Sequence, residues 1–466
     1  MRTISRFIAV WRLVLTDREF DLYDYITQRG LKYEIVTYGC QMNAHDSEKL
    51  AGILESIGYK KAAEGEEADF VLFNTCCVRA NAEKRLYGNV GVYKKIKQRR
   101  KNLIVAVCGC MMQQDGAADK LASTFPFVRI IFGTHAMQSL PEMIYKVITT
   151  GKRAICVEEG KEIIEDIPMH RNKPPLSYVS IMQGCDNFCS YCIVPYVRGR
   201  ERSREPIQII DEVKRLADAG YKEVMLLGQN VNSYGKGTEA NMRFPELLDQ
   251  IAAKTGISRI RFMTSHPKDI SHELIEVMAS HDNICKQLHL PVQSGSTRVL
   301  KEMNRHYTRE HYLEIIEDVR AVMPGITLST DVMIGFPGET QRDFEDTLSL
   351  MGQVRYDSAY TFVYSPRIGT KAAAMPDQIP EDEKQRRIVA LVDLQNEITY
   401  EKNLECAGRR FKVLIEGVSQ RDEGCVCGRT DCGRMVNLAG DESLVGSFID
   451  VEITEGKKTT LFGKRV

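Results

Sequence analysis

Four short apolar runs mark the first third of the chain, at residues 33–38, 69–73, 103–107 and 128–132. Between the first two, Leu50, Ile53, Leu54 and Ile57 recur at helical spacing, and Gly58 follows as a stop. A second helix is predicted from the end of the second run to Arg100. Continuous apolar strands alternating with helices predict a doubly wound parallel sheet. The alternation resumes from residue 177 to 401, with strands near 178–182, 223–227, 259–263, 287–291, 326–333 and 359–364. Phe244, Leu247, Leu248 and Ile251 fit one helical face, and Thr340 with Asp343 reads as a reciprocal helix start. Six βα units are two short of a closed eightfold barrel, so an open (β/α)6 partial barrel is expected, with its ligand face at the carboxyl ends of the strands. In the last stretch, 404–466, short strands at 411–415, 436–438 and 448–453 with polar turns predict a small all-β barrel. Pro168, Pro174 and Pro175 make 150–176 a linker, and 1–32 reads as an N-terminal extension with a short helix near 17–25.

Composition narrows this α/β reading. The 466 residues allow several domains, and 43% hydrophobic with 27% charged content is that of a globular protein. Lys+Arg and Asp+Glu both number 63, so a nucleic-acid partner must be held by local patches and not by overall charge. No uninterrupted apolar stretch is long enough to span a bilayer, and the run at 6–15 is broken by Arg12 and lacks a cleavage pattern. The 14 cysteines are therefore read as reduced thiols in the cytoplasm, some of them metal ligands, without disulfides.

Two cysteine sets carry candidate chemistry. Cys185, Cys189 and Cys192 sit in one tight loop after an apolar run, and no His lies between Arg171 and Ser265 to complete a zinc site nearby. Three thiolates on a four-iron cluster leave one iron open for chemistry. Cys40, Cys76 and Cys110 close the first three strands, 36 and 34 residues apart. The carboxyl ends of parallel strands share one edge, and ligands bind there at a switch point in strand order, so three distant thiols converge. Cys77 and Cys108 lie beside this set, whereas Cys425, Cys427 and Cys432 crowd one predicted loop and read as plain thiols.

Polar clusters at 227–232, 264–267, 289–296 and 331–339 follow or span four strands of the partial barrel; they serve either a bound ligand or turn geometry, and Gln229, Asn230 and Asp331 are the candidate ligand contacts. Arg198, Arg200, Arg202 and Arg204 alternate after the cysteine loop, either steering a polyanion or forming a solvated, salt-bridged face. In the tail, Arg409, Arg410, Lys412, Arg429, Arg434, Lys457, Lys458, Lys464 and Arg465 are candidate phosphate contacts.

The CxxxCxxC loop resembles that of the radical S-adenosylmethionine enzymes. Thr37-Tyr38-Gly39-Cys40-Gln41-Met42-Asn43, Asn74-Thr75-Cys76 and Cys108-Gly109-Cys110 resemble the amino-terminal domain of the methylthiotransferases, and 404–466 resembles the RNA-binding TRAM domain. The order of the three, over residues 33–466, is similar to that family alone. The resemblance implies an auxiliary-cluster domain at 33–149, a radical core at 177–401 and a TRAM domain at 404–466. It implies two 4Fe-4S clusters, an auxiliary one on Cys40, Cys76 and Cys110 and a radical one on Cys185, Cys189 and Cys192, with S-adenosylmethionine bound at the latter near Gln229, Asn230 and Asp331. One S-adenosylmethionine would methylate a sulfide on the auxiliary cluster, and a second would be cleaved to the radical that opens a C–H bond. The cofactors carry the chemistry, and the protein positions them.

His45-Asp46-Ser47-Glu48 after the first cysteine motif resembles the branch acting on N6-(dimethylallyl)adenosine beside the anticodon, at position 37, in a single-stranded loop where a base can be splayed out. The implied partners are the tRNA anticodon stem-loop, an electron donor and a sulfur donor, with no membrane and a monomeric state. The alternatives are sister branches acting on threonylcarbamoyladenosine of tRNA or on a ribosomal-protein aspartate. Rivals of other classes are a non-catalytic iron–sulfur RNA-binding protein and a zinc-stabilised interaction protein.

Overall fold

The computed structural model describes residues 16–17, 20–77, 80–157, 160, 167–235, 238, 241–420 and 423–466. The apolar run at 6–15 and part of the proline-bearing linker lie outside them. The chain forms two compact units, the first of residues 1–172 with 183–185 and 193–202, the second of 173–182, 186–192 and 203–466.

The first unit is built on a six-stranded parallel sheet. Its strands are β1 (Lys32–Thr37), β2 (Lys60–Lys61), β3 (Phe70–Thr75), β4 (Ile104–Gly109), β5 (Ile130–Phe132) and β6 (Ala154–Cys156), in the order β2-β1-β3-β4-β5-β6. Every residue of β3 and β4 is buried, as a strand covered on both faces requires. The β2 edge is two exposed lysines, which discourage further pairing. Helix α1 (Leu22–Gln28) starts five residues later than the 17–25 expectation, with Asp21 capping it through Asp24 N–H. The other helices are α2 (Gln41–Ser56), α3 (Ala80–Arg99), α4 (Ala117–Thr124) and α5 (Leu140–Thr150). Two short strands escape the hydrophobic pattern: β2 because it is polar, and β6 because three residues carry no periodicity.

The second unit opens with two parallel arcs, β9-β8-β7 and β10-β11-β12. They comprise β7 (Leu176–Ser180), β8 (Glu223–Leu227), β9 (Arg259–Phe262), β10 (Gln287–His289), β11 (Thr327–Ile334) and β12 (Ser358–Val363). An Ile260–Ile284 bridge joins the arcs, giving the open six-stranded partial barrel. Helix α6 (Pro206–Asp218) buries Ile209, Val213 and Leu216 against it, and α7 (Phe244–Lys254) buries Phe244, Leu247, Leu248 and Ile251. In α8 (Gln341–Val354), Thr340 and Asp343 cap each other through backbone and side chain.

Helix α9 (Glu381–Leu404) leads into a closed five-stranded barrel, β13 (Arg410–Val418), β14 (Cys425–Thr430), β15 (Met435–Ala439), β16 (Phe448–Gly456) and β17 (Leu461–Arg465). Cys425 and Cys427 stand on strand β14, not in a loop. Val426, Gly428 and Thr430 face inward there, and Gly428 lets β13 pass where a Cβ would lie 2.2 Å from the Leu414 carbonyl. The barrel is fixed to the amino ends of the partial-barrel strands. Arg259 donates to the Arg429 and Lys412 carbonyls at 2.8 and 2.6 Å and stacks on Phe448, and Thr327 Oγ1 donates to the Cys432 carbonyl at 2.6 Å. Arg434, expected at a phosphate, is instead bound to Asp357 and Asn403. Among the described residues no helix is long and apolar enough to cross a membrane.

Candidate metal centres

In the first unit the strand order reverses between β1 and β3, so the connections leaving their paired carboxyl ends part to opposite faces of the sheet. Cys76 follows β3 directly, Cys110 follows β4 directly, and Cys40 lies three residues beyond β1. The register pairs Thr75 with Gly109, which sets Cys76 and Cys110 side by side at the sheet edge. Gly39 has φ +141°, and a Cβ there would lie 2.6 Å from the Cys76 Cβ; only glycine lets the Cys40 backbone come so close. Gly109, at φ +101°, meets the Thr75 carbonyl in the same way.

An amide network holds the Cys40 turn. Asn43 Oδ1 accepts from the Cys40 N–H at 3.4 Å, and Asn43 Nδ2 donates to the Thr75 carbonyl at 3.2 Å. Asn74 Nδ2 donates to the Asn43 carbonyl and to Ser47 Oγ, both at 2.9 Å. The helix start and the strand end are thus one fully bonded polar unit, which in a buried site fixes a single geometry.

The electrostatics favour thiolates. The Cys40 thiol is lowered to about 5, chiefly by hydrogen bonding with Cys76, against burial and with help from the Arg198 charge. Cys110 is also lowered, first by a hydrogen bond with Cys77 and then by Arg198. Cys77 is pushed well up by that same hydrogen bond and by burial, and burial raises Cys108. Cys77 and Cys108 are thus held protonated.

Arg198 was expected at the surface. It is 5% exposed, with Nε donating to Cys110 Sγ at 3.2 Å and Nη2 to Asp46 Oδ2 at 2.8 Å. Arg204 is also buried, on Glu212 and the Ser180 carbonyl, and Arg202 donates to the Gly160 carbonyl. Of the four arginines only Arg200 is exposed, so the run forms neither a polyanion track nor a solvated face. The signal that separates these residues is periodicity: Arg198 caps a short helix, Val194–Val197, whose Ile193 and Val197 are core.

The CxxxCxxC loop is anchored by residues that the hydrophobic pattern does not single out. Ser190 N–H donates to the Met303 carbonyl at 3.0 Å and Ser190 Oγ to the Glu302 carbonyl at 2.8 Å. Asn304, at φ +59°, donates its amide to the Asn187 and Phe188 carbonyls. Arg305, buried, donates to Cys189 Sγ at 3.5 Å, to the Pro291 carbonyl at 2.8 Å and to Tyr307 Oη at 3.0 Å. Cys185 and Cys189 are buried and Cys192 is half-buried. An asparagine in a left-handed turn followed by arginine, Asn304-Arg305, was the available cue.

Of the candidate ligand contacts, Gln229 and Asn230 close β8, and Asp331 lies midway along β11 on the other arc. Asn230 Nδ2 donates to Asp269 at 2.7 Å. Asp331 Oδ1 lies 3.6 Å from His289 Nε2, whose Nδ1 meets Ser329 Oγ at 3.0 Å. Asn230 Oδ1, Ser265 Oγ and His266 Nε2 are buried at the carboxyl ends of β8 and β9 without a hydrogen-bond partner among the described residues. An unsatisfied buried polar atom costs about 1–3 kcal/mol, so these atoms suit a polar ligand. Burial, with Arg305 and Lys268 nearby, drives His266 far below the usual imidazole range, so it is neutral. Its Nδ1 accepts from the Lys268 N–H, which leaves the proton on Nε2.

Three thiols at the edge of the first sheet and three in a loop heading an open partial barrel, four of the six buried, mark the class of a radical S-adenosylmethionine protein, although among the described residues no three such side chains stand close enough to share a single metal ion. Residues 179–351 match the radical SAM superfamily, 32–133 the uncharacterized protein family UPF0004, and 405–466 the TRAM domain. The partial-barrel fold is shared with the radical S-adenosylmethionine methyltransferase TsrM from Kitasatospora setae (TM-score 0.52, 15% identity, 85% of this chain and 79% of that one). It is shared too with the cobalamin-dependent radical enzyme OxsB (TM-score 0.52, 12% identity, 84% and 61%). Over 436 residues the chain is 50% identical to the tRNA-2-methylthio-N(6)-dimethylallyladenosine synthase of Clostridium botulinum (strain Okra / Type B1), covering 93% of this chain and 97% of that one. Against the enzyme of the same name from Clostridium perfringens (strain 13 / Type A) it is 52% identical over 435 residues, with the same coverage. The chain belongs to the tRNA-2-methylthio-N(6)-dimethylallyladenosine synthase family.

Proposed function

We propose that the chain converts N6-(dimethylallyl)adenosine at position 37 of tRNA to its 2-methylthio derivative in the cytoplasm. In this reading Cys40, Cys76 and Cys110 hold one 4Fe-4S cluster and Cys185, Cys189 and Cys192 another. The observation that carries it is the thiol set at the switch point of the first sheet, additional to the CxxxCxxC loop. Four of the six thiols named are buried outright, Cys40 and Cys110 lie beside a buried cation, and Cys189 has its own, as thiolate ligands of a metal group require. When bound, the clusters supply electron transfer, reductive cleavage of S-adenosylmethionine and a sulfur to be methylated.

The residues of this chain bind and position. Asn43 and Asn74 hold the Cys40 turn, and Arg305 and Asn304 hold the Cys189 loop. Asn230, Ser265 and His266 offer unpaired polar atoms to S-adenosylmethionine, with Gln229 and Asp331 as further contacts. An aromatic C–H presents no acidic proton, which explains a site rich in positioning groups with no general base assigned. The small barrel holds the RNA through Arg409, Arg410 and Lys412, exposed at its surface. An electron donor and a sulfur donor serve the two clusters.

Nucleoside analysis of tRNA from cells lacking this protein is the test. Loss of the methylthio group from the dimethylallyladenosine position supports the reading. Loss from threonylcarbamoyladenosine instead would move the chain to the sister branch.

A further inference from the structure

We infer that Arg198 is a positioning residue for the first thiol set: its buried guanidinium supplies the fixed positive charge that offsets the thiolates and sets how readily the group they hold accepts an electron. The inference rests on the assignment of a cluster to Cys40, Cys76 and Cys110. Three thiolates in a buried pocket concentrate negative charge, which is costly without a counter-ion. Arg198 brings a cation there, with Nε on Cys110 Sγ and Nη2 on Asp46 Oδ2. Asp46 is 3% exposed, and its Oδ1 has no hydrogen-bond partner among the described residues. The guanidinium is therefore shared between sulfur and carboxylate, and each competes for it. Its segment does not depend on it: Thr134 Oγ1 donates to the Val197 carbonyl at 2.8 Å, and Ile193 and Val197 sit in the core. The charge is thus delivered by a segment held in place by other residues. Charge near a cluster and hydrogen bonds to its sulfurs are principal determinants of its reduction potential.

The sign follows for two variants. Arg198→Gln removes the cation, so the added electron is less favoured and the potential falls. Asp46→Asn leaves the cation uncompensated beside the sulfurs, so the potential rises. Arg198→Lys keeps the charge and stays near wild type. The experiment is a redox titration of anaerobically reconstituted full-length protein, followed by electron paramagnetic resonance, with iron and sulfide counted per chain. Replacing either set of three cysteines by alanine leaves the signal of the other set alone, which assigns the two. The expected result is opposite shifts of the first set's signal in Arg198→Gln and Asp46→Asn, with the signal of the CxxxCxxC set unmoved. No shift, shifts of the same sign, or equal shifts of both signals would overturn the inference. If Arg198→Gln loads no iron at this set, loading in Arg198→Lys and an upward shift in Asp46→Asn support the charge role; failure of either refutes it. Wild-type protein that loads only one cluster would instead refute the assignment on which the inference rests.

Discussion

Arg261 makes four hydrogen bonds, two of which tie the small barrel to the partial barrel. Its Nε donates to Glu223 at 2.8 Å, Nη1 to Gln287 and to the Asp431 carbonyl at 2.7 and 2.8 Å, and Nη2 to the Thr430 carbonyl at 2.6 Å. Glu223 is completely buried, and its second oxygen has no hydrogen-bond partner among the described residues. Arg261→Met therefore strands a carboxylate in the interior and leaves two carbonyls bare. Removing one member of a buried pair costs about 3–5 kcal/mol, whereas replacing both with apolar residues of similar size is often neutral. At roughly 2–4 °C per kcal/mol, the single variant should melt roughly 6–20 °C lower. Glu223→Leu combined with Arg261→Met should recover at least half of that loss. Thermal unfolding of the two variants, followed by fluorescence, decides the matter. A single variant that melts within 2 °C of wild type, allowing about 1 kcal/mol, would refute the reasoning. So would a double variant less stable than the single.

Reconstituted wild-type protein should hold about eight irons per chain, with about four lost on replacing Cys40, Cys76 and Cys110 and a different four on replacing Cys185, Cys189 and Cys192; four or fewer in the wild type contradicts two clusters. Asn43→Ala leaves the Asn74 side chain and the Thr75 carbonyl short of donors, at about 1–3 kcal/mol, and iron analysis should show selective loss at the first set. His266→Phe keeps the ring against Tyr307 but removes the Nε2 donor, so equilibrium binding of S-adenosylmethionine should weaken about 10-fold or more; unchanged binding would place the ligand elsewhere. Burial pushes the Asp343 carboxyl up, but Arg298, Ser296 and Thr340 together outweigh it and hold it well below the carboxylate range. A carboxyl depressed on folding stabilises fully above its unfolded value of about 3.9 and loses that contribution as pH falls. The melting gap between wild type and Asp343→Asn in cluster-free protein should thus narrow from pH 7 to pH 3, and a gap that widens in acid would have the wrong sign.

Much of this architecture was legible in the chain. Phe70 to Thr75 and Ile104 to Gly109 read as buried strands because parallel strands covered on both faces need unbroken apolar runs. That reading also predicts where Cys40, Cys76 and Cys110 fall, since βα topology sends every strand end to one edge. Arg198 was not legible, because alternating arginines on paper look like a surface, and only Val197 and Ile193 in the core reveal the burial. Strand β14 was hidden by Gly428, whose missing side chain weakens a strand pattern and is needed where β13 crosses. The strand at 259–263 was legible, but the role of Arg259 and Arg261 on it was not, since what they bind are carbonyls about 170 residues further along the chain.

The small barrel sits at one end of the partial-barrel strands. It grips the partial barrel at Arg259, Arg261 and Thr327, where β9 and β11 begin, while the polar clusters lie where the strands finish. Strand β11 has eight residues, about 26 Å at about 3.3 Å each. An RNA held by the barrel and reacting at the far rim must bridge that distance. A stacked strand advances about 3.4 Å per nucleotide, so about eight stacked nucleotides cover it. A single nucleoside is too short to reach both ends of these strands at once.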